Sequence, residues 1–301
     1  MSTPLHRPRG SRGFTLLEIL SAVAVLTLML VLVNQLTLSA MAVMSLSGRH
    51  IDSDTEARLI FNRMAVDFSR MLKRTDIDYS PFKQPLNLQT GNDRCAFYSE
   101  TSGYFSGTSQ PAGNGRGDVS LVAYRIANDP TTGTPGLHRM GKGLGWEPDP
   151  SGSAWSNVAF LPVTFNDRWP NLFTSDTDYR PIGEQVFRIE YTYLLKSTAT
   201  QAARTSITPW DSTTHTSANG FKDVAALVVT IAVLDNSSRI LVKNFSDLTQ
   251  AFPDAKDGAD TSSAWNAVVN SATFSTIANV SKPSAAGVRI YQRYFYLDSP
   301  L

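Results

Sequence analysis

Apolar and polar positions divide the chain into three stretches of different period. From Phe14 to Gly48 the sequence FTLLEILSAVAVLTLMLVLVNQLTLSAMAVMSLSG carries one charge, Glu18. Phe14–Val33 alone is long enough to cross the hydrocarbon core of a bilayer as a helix. In Arg49–Arg74 the apolar residues Ile51, Ala57, Phe61, Met64, Phe68, Met71 and Leu72 recur at three- and four-residue steps with charges between them, which predicts an amphipathic helix. Joined to the first, it makes a rod from Phe14 to Arg74, about 90 Å long at 1.5 Å per residue. Gly48 is the point where such a rod would bend or break.

After Pro81 the period shortens to two, between loops rich in Gly, Pro, Ser and Thr. Strands are predicted at Ser120–Ile126, Leu137–Met140, Val158–Phe165, Gln185–Leu195, Val224–Leu234 and Val288–Leu297. Phe187, Ile189, Tyr191 and Tyr193 alternate with Arg188, Glu190 and Thr192, the pattern of one buried and one wet face. Ala225–Leu234 is apolar almost throughout, so it reads as a central strand covered on both sides. A short helix is predicted at Ser262–Asn270, capped by Thr261 or Ser262. The fold class is therefore α+β: a long N-terminal helix, half membrane-spanning and half amphipathic, packed on an antiparallel β-sheet with long loops. The expected divisions are a basic leader at 1–13, a transmembrane helix at 14–48, the helix continuing the rod at 49–80, and a β-rich globular domain at 81–301.

Charge then orients the span. Lys and Arg total 27 against 26 Asp and Glu, a balance that argues against a nucleic-acid partner. His6, Arg7, Arg9 and Arg12 all precede the apolar run, and the positive-inside rule keeps them in the cytoplasm with the bulk of the chain on the far side. An ordinary secretory signal places its small residue after the apolar stretch, whereas Gly13 stands before it. Glu18 is the expensive residue: a carboxylate in hydrocarbon costs about 2.5–3.5 kcal/mol on insertion scales. Either it lies at the interface, a turn from the leader, or it has a partner.

The run Arg12-Gly-Phe-Thr-Leu-Leu-Glu18 followed by an uncharged helix resembles the class III signal peptide of type IV prepilins and of the pseudopilins of type II secretion, across Gly13–Val33. The resemblance implies a pilin-like fold, cleavage between Gly13 and Phe14 by prepilin peptidase, and N-methylation of Phe14. It also implies that Glu18 neutralises the terminal amine of a neighbouring subunit during assembly. Tyr124–Ile126, Gly136–Arg139, Val186–Tyr193 and Val224–Leu234 follow more loosely the pattern of the J-type minor pseudopilin. The closing Gly287–Leu297 is similar to protein C of the Verru_Chthon cassette. The implied partners are prepilin peptidase, other pilin or pseudopilin subunits and the inner membrane. The globular domain is then expected in the periplasm or on the cell surface, moving into a filament on assembly.

Other chemistry in the sequence is thin. Gly136-Leu-His-Arg-Met-Gly-Lys-Gly143 approaches a P-loop but has Gly143 where the magnesium ligand must be Ser or Thr, and a flexible loop explains its glycines equally well. His6, His50, His138 and His215 have no metal-ligand spacing. Arg116-Gly-Asp118 reads as a turn. No cofactor is expected. Some pseudopilins bind calcium, however, and Asp176-Thr-Asp178 and the loop Asp254–Asp260 offer oxygen ligands without matching an EF-hand. Cys95, the single cysteine, reads as a small packed residue. Trp146, Trp155, Trp169 and Trp210 read as loop anchors. The expected function is a non-enzymatic, minor pseudopilin-like filament subunit. The alternatives are a membrane-anchored binding or adhesion module on the same scaffold, for a secreted substrate, a surface or DNA, and a membrane-anchored enzyme. Processing supplies the first test: Gly13→Val is expected to leave uncleaved precursor in the membrane, read by the mass of the N-terminal peptide, and normal cleavage would reject the peptidase site.

Overall fold

The structure is a computed structural model that describes residues 15–72, 91–103, 119–144, 172–174, 176–209 and 223–297. Helix α1 covers Leu16–Ser69, and Gly48 lies inside it without ending it. The chain separates into two compact units, Met1–His50 and Ile51–Leu301. In the first, Leu16–Met41 is a helical stretch of 26 residues, long and apolar enough to cross a membrane, and none of it is buried by protein. A helix that is apolar on every side finds no polar face to give to water, so a bilayer is the solvent that suits it.

In the second unit, the α1 residues Ala57, Ile60, Phe61, Met64 and Phe68 are buried at the predicted three- and four-residue spacing. The stripe starts later than the sequence pattern implies, because Ile51 is 61% exposed. The helix also stops at Ser69, short of Arg74. There the backbone turns to pair with the first strand: Leu72 N donates to Tyr98 O at 2.9 Å, Glu100 N donates to Arg70 O at 2.9 Å, and Met71 bridges Ser99.

Among the described residues two antiparallel four-stranded sheets follow, where a single sheet was expected. The first has the order β1 (Cys95–Ser99), β2 (Val119–Asn128), β3 (Pro135–Leu144), β4 (Arg180–Gly183). The second has the order β6 (Arg204–Ser206), β5 (Val186–Leu195), β7 (Val224–Leu234), β8 (Val288–Tyr296). The predicted strand Val158–Phe165 lies outside the described residues. β7 matches its prediction, an interior strand buried on both faces. Between β7 and β8 come α2 (Asn236–Arg239), α3 (Phe245–Gln250), α4 (Thr261–Val269), α5 (Phe274–Ile277) and α6 (Lys282–Ala286). The cap of α4 is Asp260, not Thr261 or Ser262: its carboxylate accepts the Ser263 N–H at 2.9 Å.

β5 departs from simple alternation. A register shift between Val186 and Arg188 places Phe187 against Phe252, on the far side of the sheet from Ile189 and Tyr191. The polar face is not wet either, since Arg188, Glu190 and Thr192 are all buried. Arg188 Nη2 donates to Glu190 at 2.8 Å and to Asp254 at 2.5 Å, and its guanidinium lies over the Trp265 ring of α4. Where β6 is too short to pair with the start of β5, residues 92 and 93 take its place. Ile189 N donates to Asn92 Oδ1 at 2.8 Å, Tyr191 N to Asp93 Oδ2 at 2.9 Å, and Asp93 N to Ile189 O at 3.1 Å. The edge of a buried strand is thereby satisfied.

Three cores result. The central one joins α1 to both sheets, with Phe68 packed 5.2 Å from Phe97 and 5.1 Å from Phe295. A second lies behind the first sheet around Leu121, Met140 and Tyr179. The third lies behind the second sheet, where α3–α6 enclose Trp265, Phe252 and Phe274.

One polar group interrupts the central core. Asp67 of α1 is fully buried, accepts Arg139 Nε at 2.6 Å and Nη2 at 2.8 Å, and takes the Tyr124 hydroxyl. Burial alone lowers the pKa of the Arg139 guanidinium, but the hydrogen bond to Asp67 and the neighbouring charges outweigh it and leave the group above its ordinary value. Asp67→Ala strands a partly buried guanidinium and a buried phenol and is expected to cost about 3–5 kcal/mol, measured by chemical denaturation. Asp67→Leu combined with Arg139→Met is expected to recover most of that loss; equal instability in the double variant would show that the pair is not the cause.

Candidate functional site

Gly13 and Phe14, the residues expected to flank the cleavage site, lie outside the described residues. Glu18 is described, in the first turn of α1 and exposed. Its Oε2 accepts the Thr15 N–H at 3.4 Å and the Thr15 hydroxyl at 3.5 Å, while Glu18 N donates to Thr15 Oγ1 at 3.3 Å. This is the reciprocal arrangement of a capping box, and the carboxylate also sits at the positive end of the helix dipole. Thr15-Leu-Leu-Glu18 has the Thr-x-x-Glu spacing that signals such a box, a local signal distinct from the charge of Glu18. Glu18 thus has a local structural task beside any role between subunits.

The comparison with known families bears on this same segment. Residues 8–34 match the prokaryotic N-terminal methylation motif. Together with the apolar helix, the match is consistent with a class III signal peptide of the type IV pilin kind, and it supports a pilin- or pseudopilin-type precursor. The motif implies processing by prepilin peptidase and pilin assembly in general terms, and the apolar helix suggests membrane anchoring. No curated protein matches the chain.

The remaining candidates are placed as follows. Gly136–Gly143 lies within β3, paired residue for residue with β2, so the segment is an extended strand and neither a phosphate-cradling turn nor a flexible loop. His138 lines a cavity of about 150 Å³ with Asp129, Thr134, Glu184 and Arg239. Burial, with help from the Arg125 charge, holds its pKa below the ordinary histidine value, which favours a neutral ring. His50 is on α1, and His215 lies outside the described residues. So do Arg116–Asp118, Trp146, Trp155, Trp169 and Trp210. Cys95 is fully buried in β1, where burial pushes its thiol pKa up, away from nucleophilic chemistry.

The two acidic loops are already engaged by protein donors. Lys142 Nζ stands 2.8 Å from both Asp176 and Asp178. Burial works against this ammonium, but its hydrogen bonds to the two carboxylates outweigh burial and raise its pKa. Asp254 holds Arg188, Asp257 accepts Ile207 N at 2.9 Å, and Asp260 caps α4. Calcium takes six to eight oxygens. An ammonium between two carboxylates does not fit that demand, and among the described residues no group of three or more His, Cys, Asp or Glu is placed to hold a metal ion.

Asp260 gives a pH signature. Burial raises its pKa, but hydrogen bonds from Ser263, Gln292 and Ser262 more than offset this and hold it at about 2. A folded pKa below the ordinary 3.8 means the carboxylate stabilises the fold above that value and ceases to do so as pH falls towards 2. The melting temperature of Asp260→Asn is expected to lie below that of the wild type at neutral pH and to converge on it in this acid window. A gap that persists unchanged to pH 2 would remove the charge from the account.

Proposed function

We propose that the chain is a minor pseudopilin-like structural subunit: cut between Gly13 and Phe14, N-methylated on Phe14, and assembled through its apolar helix into a filament of the type II secretion or type IV pilus kind. The observation that carries this reading is the methylation motif at residues 8–34 placed directly on a helix able to span a membrane. A helix that continues into an amphipathic segment under a β-rich unit supports it further, because a filament subunit needs one apolar part for its neighbours and one folded part outside the bilayer. In this reading the chain performs no catalysis. It is held in the inner membrane with its globular unit in the periplasm or on the cell surface.

Glu18 is then the assembly residue, pairing with the amine of a neighbour's Phe14. Its capping contacts with Thr15 make the choice of substitution matter. Glu18→Leu removes charge and cap together, whereas Glu18→Gln keeps a side chain able to complete a capping box and removes the charge alone. Both are expected to be cleaved normally. Leaving a buried amine without its counter-ion costs about 3–5 kcal/mol, hundreds-fold or more in incorporation. Crosslinking to neighbouring subunits, normalised to cleaved protein, is therefore expected to collapse in both variants. If Glu18→Gln crosslinks as the wild type does, the charge pair is wrong and Glu18 is a helix cap.

A further inference from the structure

Among the described residues, three of the four sheet edges are short or blocked. β6 has three residues, β4 has four including Pro181, and β1 is flanked by Met71 and Leu72. β8 is the exception: nine residues, Val288–Tyr296, without a proline, a lysine or a bulge, in unbroken register with β7. Edge strands commonly carry one of those devices, which keep a further chain from pairing with them.

The ladder with β7 fixes which backbone groups of β8 face outward. Leu297 N donates to Ala225 O at 3.0 Å, one step beyond the Ala226–Tyr296 pair and so between residues directly opposite one another. Residues in such pairs alternate along an antiparallel ladder, so Phe295, Arg293, Tyr291 and Arg289 also bond to β7. The N–H and C=O groups of Ile290, Gln292, Tyr294 and Tyr296 therefore point away from the sheet, and no described backbone group pairs with them. Two side chains of this row stand in solvent, Tyr294 at 38% and Tyr296 at 72% exposure, with their rings stacked 6.5 Å apart.

We propose that this edge pairs antiparallel with β8 of a second copy of the chain, about a two-fold axis at Gln292. The occupant follows from the pattern along the strand. Outward backbone groups sit at even positions, so two copies exchange hydrogen bonds only where even positions stand opposite even ones. Of these registers, the one centred on Gln292 overlaps all nine residues. Centring on Tyr291 sets Arg289 opposite Arg293, and centring on Arg293 sets that arginine opposite itself; like charges directly opposite destabilise a pair. Centring on Gln292 sets Arg289 opposite Phe295, Arg293 opposite Tyr291 and Ile290 opposite Tyr294, so each cation meets an aromatic ring and the exposed tyrosine meets an aliphatic side chain. The strand is thus complementary to itself in the one register that uses its whole length, which is what an isologous interface requires. The pairing involves the globular unit alone and stands apart from the filament reading.

Disulfide trapping in the full chain, in detergent micelles, reads the register. Opposite residues of this ladder stand about 5.5 Å apart at Cα, within the span that a disulfide bridges. Cys95 is buried and does not compete. Ile290→Cys mixed with Tyr294→Cys is expected to give a mixed disulfide under mild oxidation. Tyr294→Cys alone places its thiols four residues apart along the paired strands, about 13 Å, and Ile290→Cys with Tyr296→Cys is two residues out of register; both are expected to trail severalfold. Gln292→Cys, outside the third core, is expected to bridge to itself and is the probe if Ile290→Cys unfolds the chain. Adding Tyr294→Pro removes an N–H that points away from β7 and is expected to abolish that bridge; its persistence overturns the proposal. Equal yields from all pairs identify association through the apolar helix or random collision, and a lead for an out-of-register pair identifies a different pairing; either overturns the proposal. So does a chain in which no pair bridges, which leaves the edge to a strand of another protein.

Discussion

A buried carboxylate in a helix is the constraint on which the globular unit turns. Asp67 is fully buried in the central core, and its carboxylate takes hydrogen bonds from two different strands, from Tyr124 on β2 and Arg139 on β3. Its own backbone carbonyl takes the Ser99 hydroxyl from the end of β1 at 3.0 Å. The first sheet is thus fixed to α1 in rotation and in height. Phe68, one residue on, reaches Phe97 of the first sheet and Phe295 of the second, so the register set by the polar group is passed to the apolar packing. Hydrophobic contact alone would tolerate a helix slid by a turn; a bidentate ion pair with a phenol beside it does not.

What could be read from the sequence followed from how local each signal is. The apolar helix long enough to cross a membrane, the buried stripe from Ala57 to Phe68 and the apolar run of β7 are written in neighbouring residues, and all three are found. β1, β4 and β6 are five, four and three residues long, too short for a period to register, and exist because a distant strand offers hydrogen bonds. The burial of Arg188 and Glu190 depends on Asp254, more than sixty residues later, and the inversion of Phe187 depends on a bulge. No alternation rule contains either.

The methylation motif at residues 8–34 is legible for the same reason: its glycine, its glutamate and the apolar run that follows are contiguous in sequence. The Thr15–Glu18 cap is equally local, written in the Thr-x-x-Glu spacing at the start of the helix. The acidic loops are the opposite case. Asp176 and Asp178 have the composition of a cation site, and the lysine between them comes from β3, over thirty residues earlier.

The strand order of the second sheet also has a consequence for the chain as it is made. β7 is complete at Leu234, but the strand that covers its open side, β8, begins at Val288, fifty-four residues later. During synthesis, β7 emerges as eleven residues of nearly unbroken Val, Ala, Leu and Ile with one flank bare, and stays so until the closing strand arrives. Eleven residues are too few to span a bilayer, yet ample to pair with another unfinished chain. The five short helices inserted between β7 and β8 therefore set a waiting time, the interval in which the nascent chain carries an unpaired apolar strand.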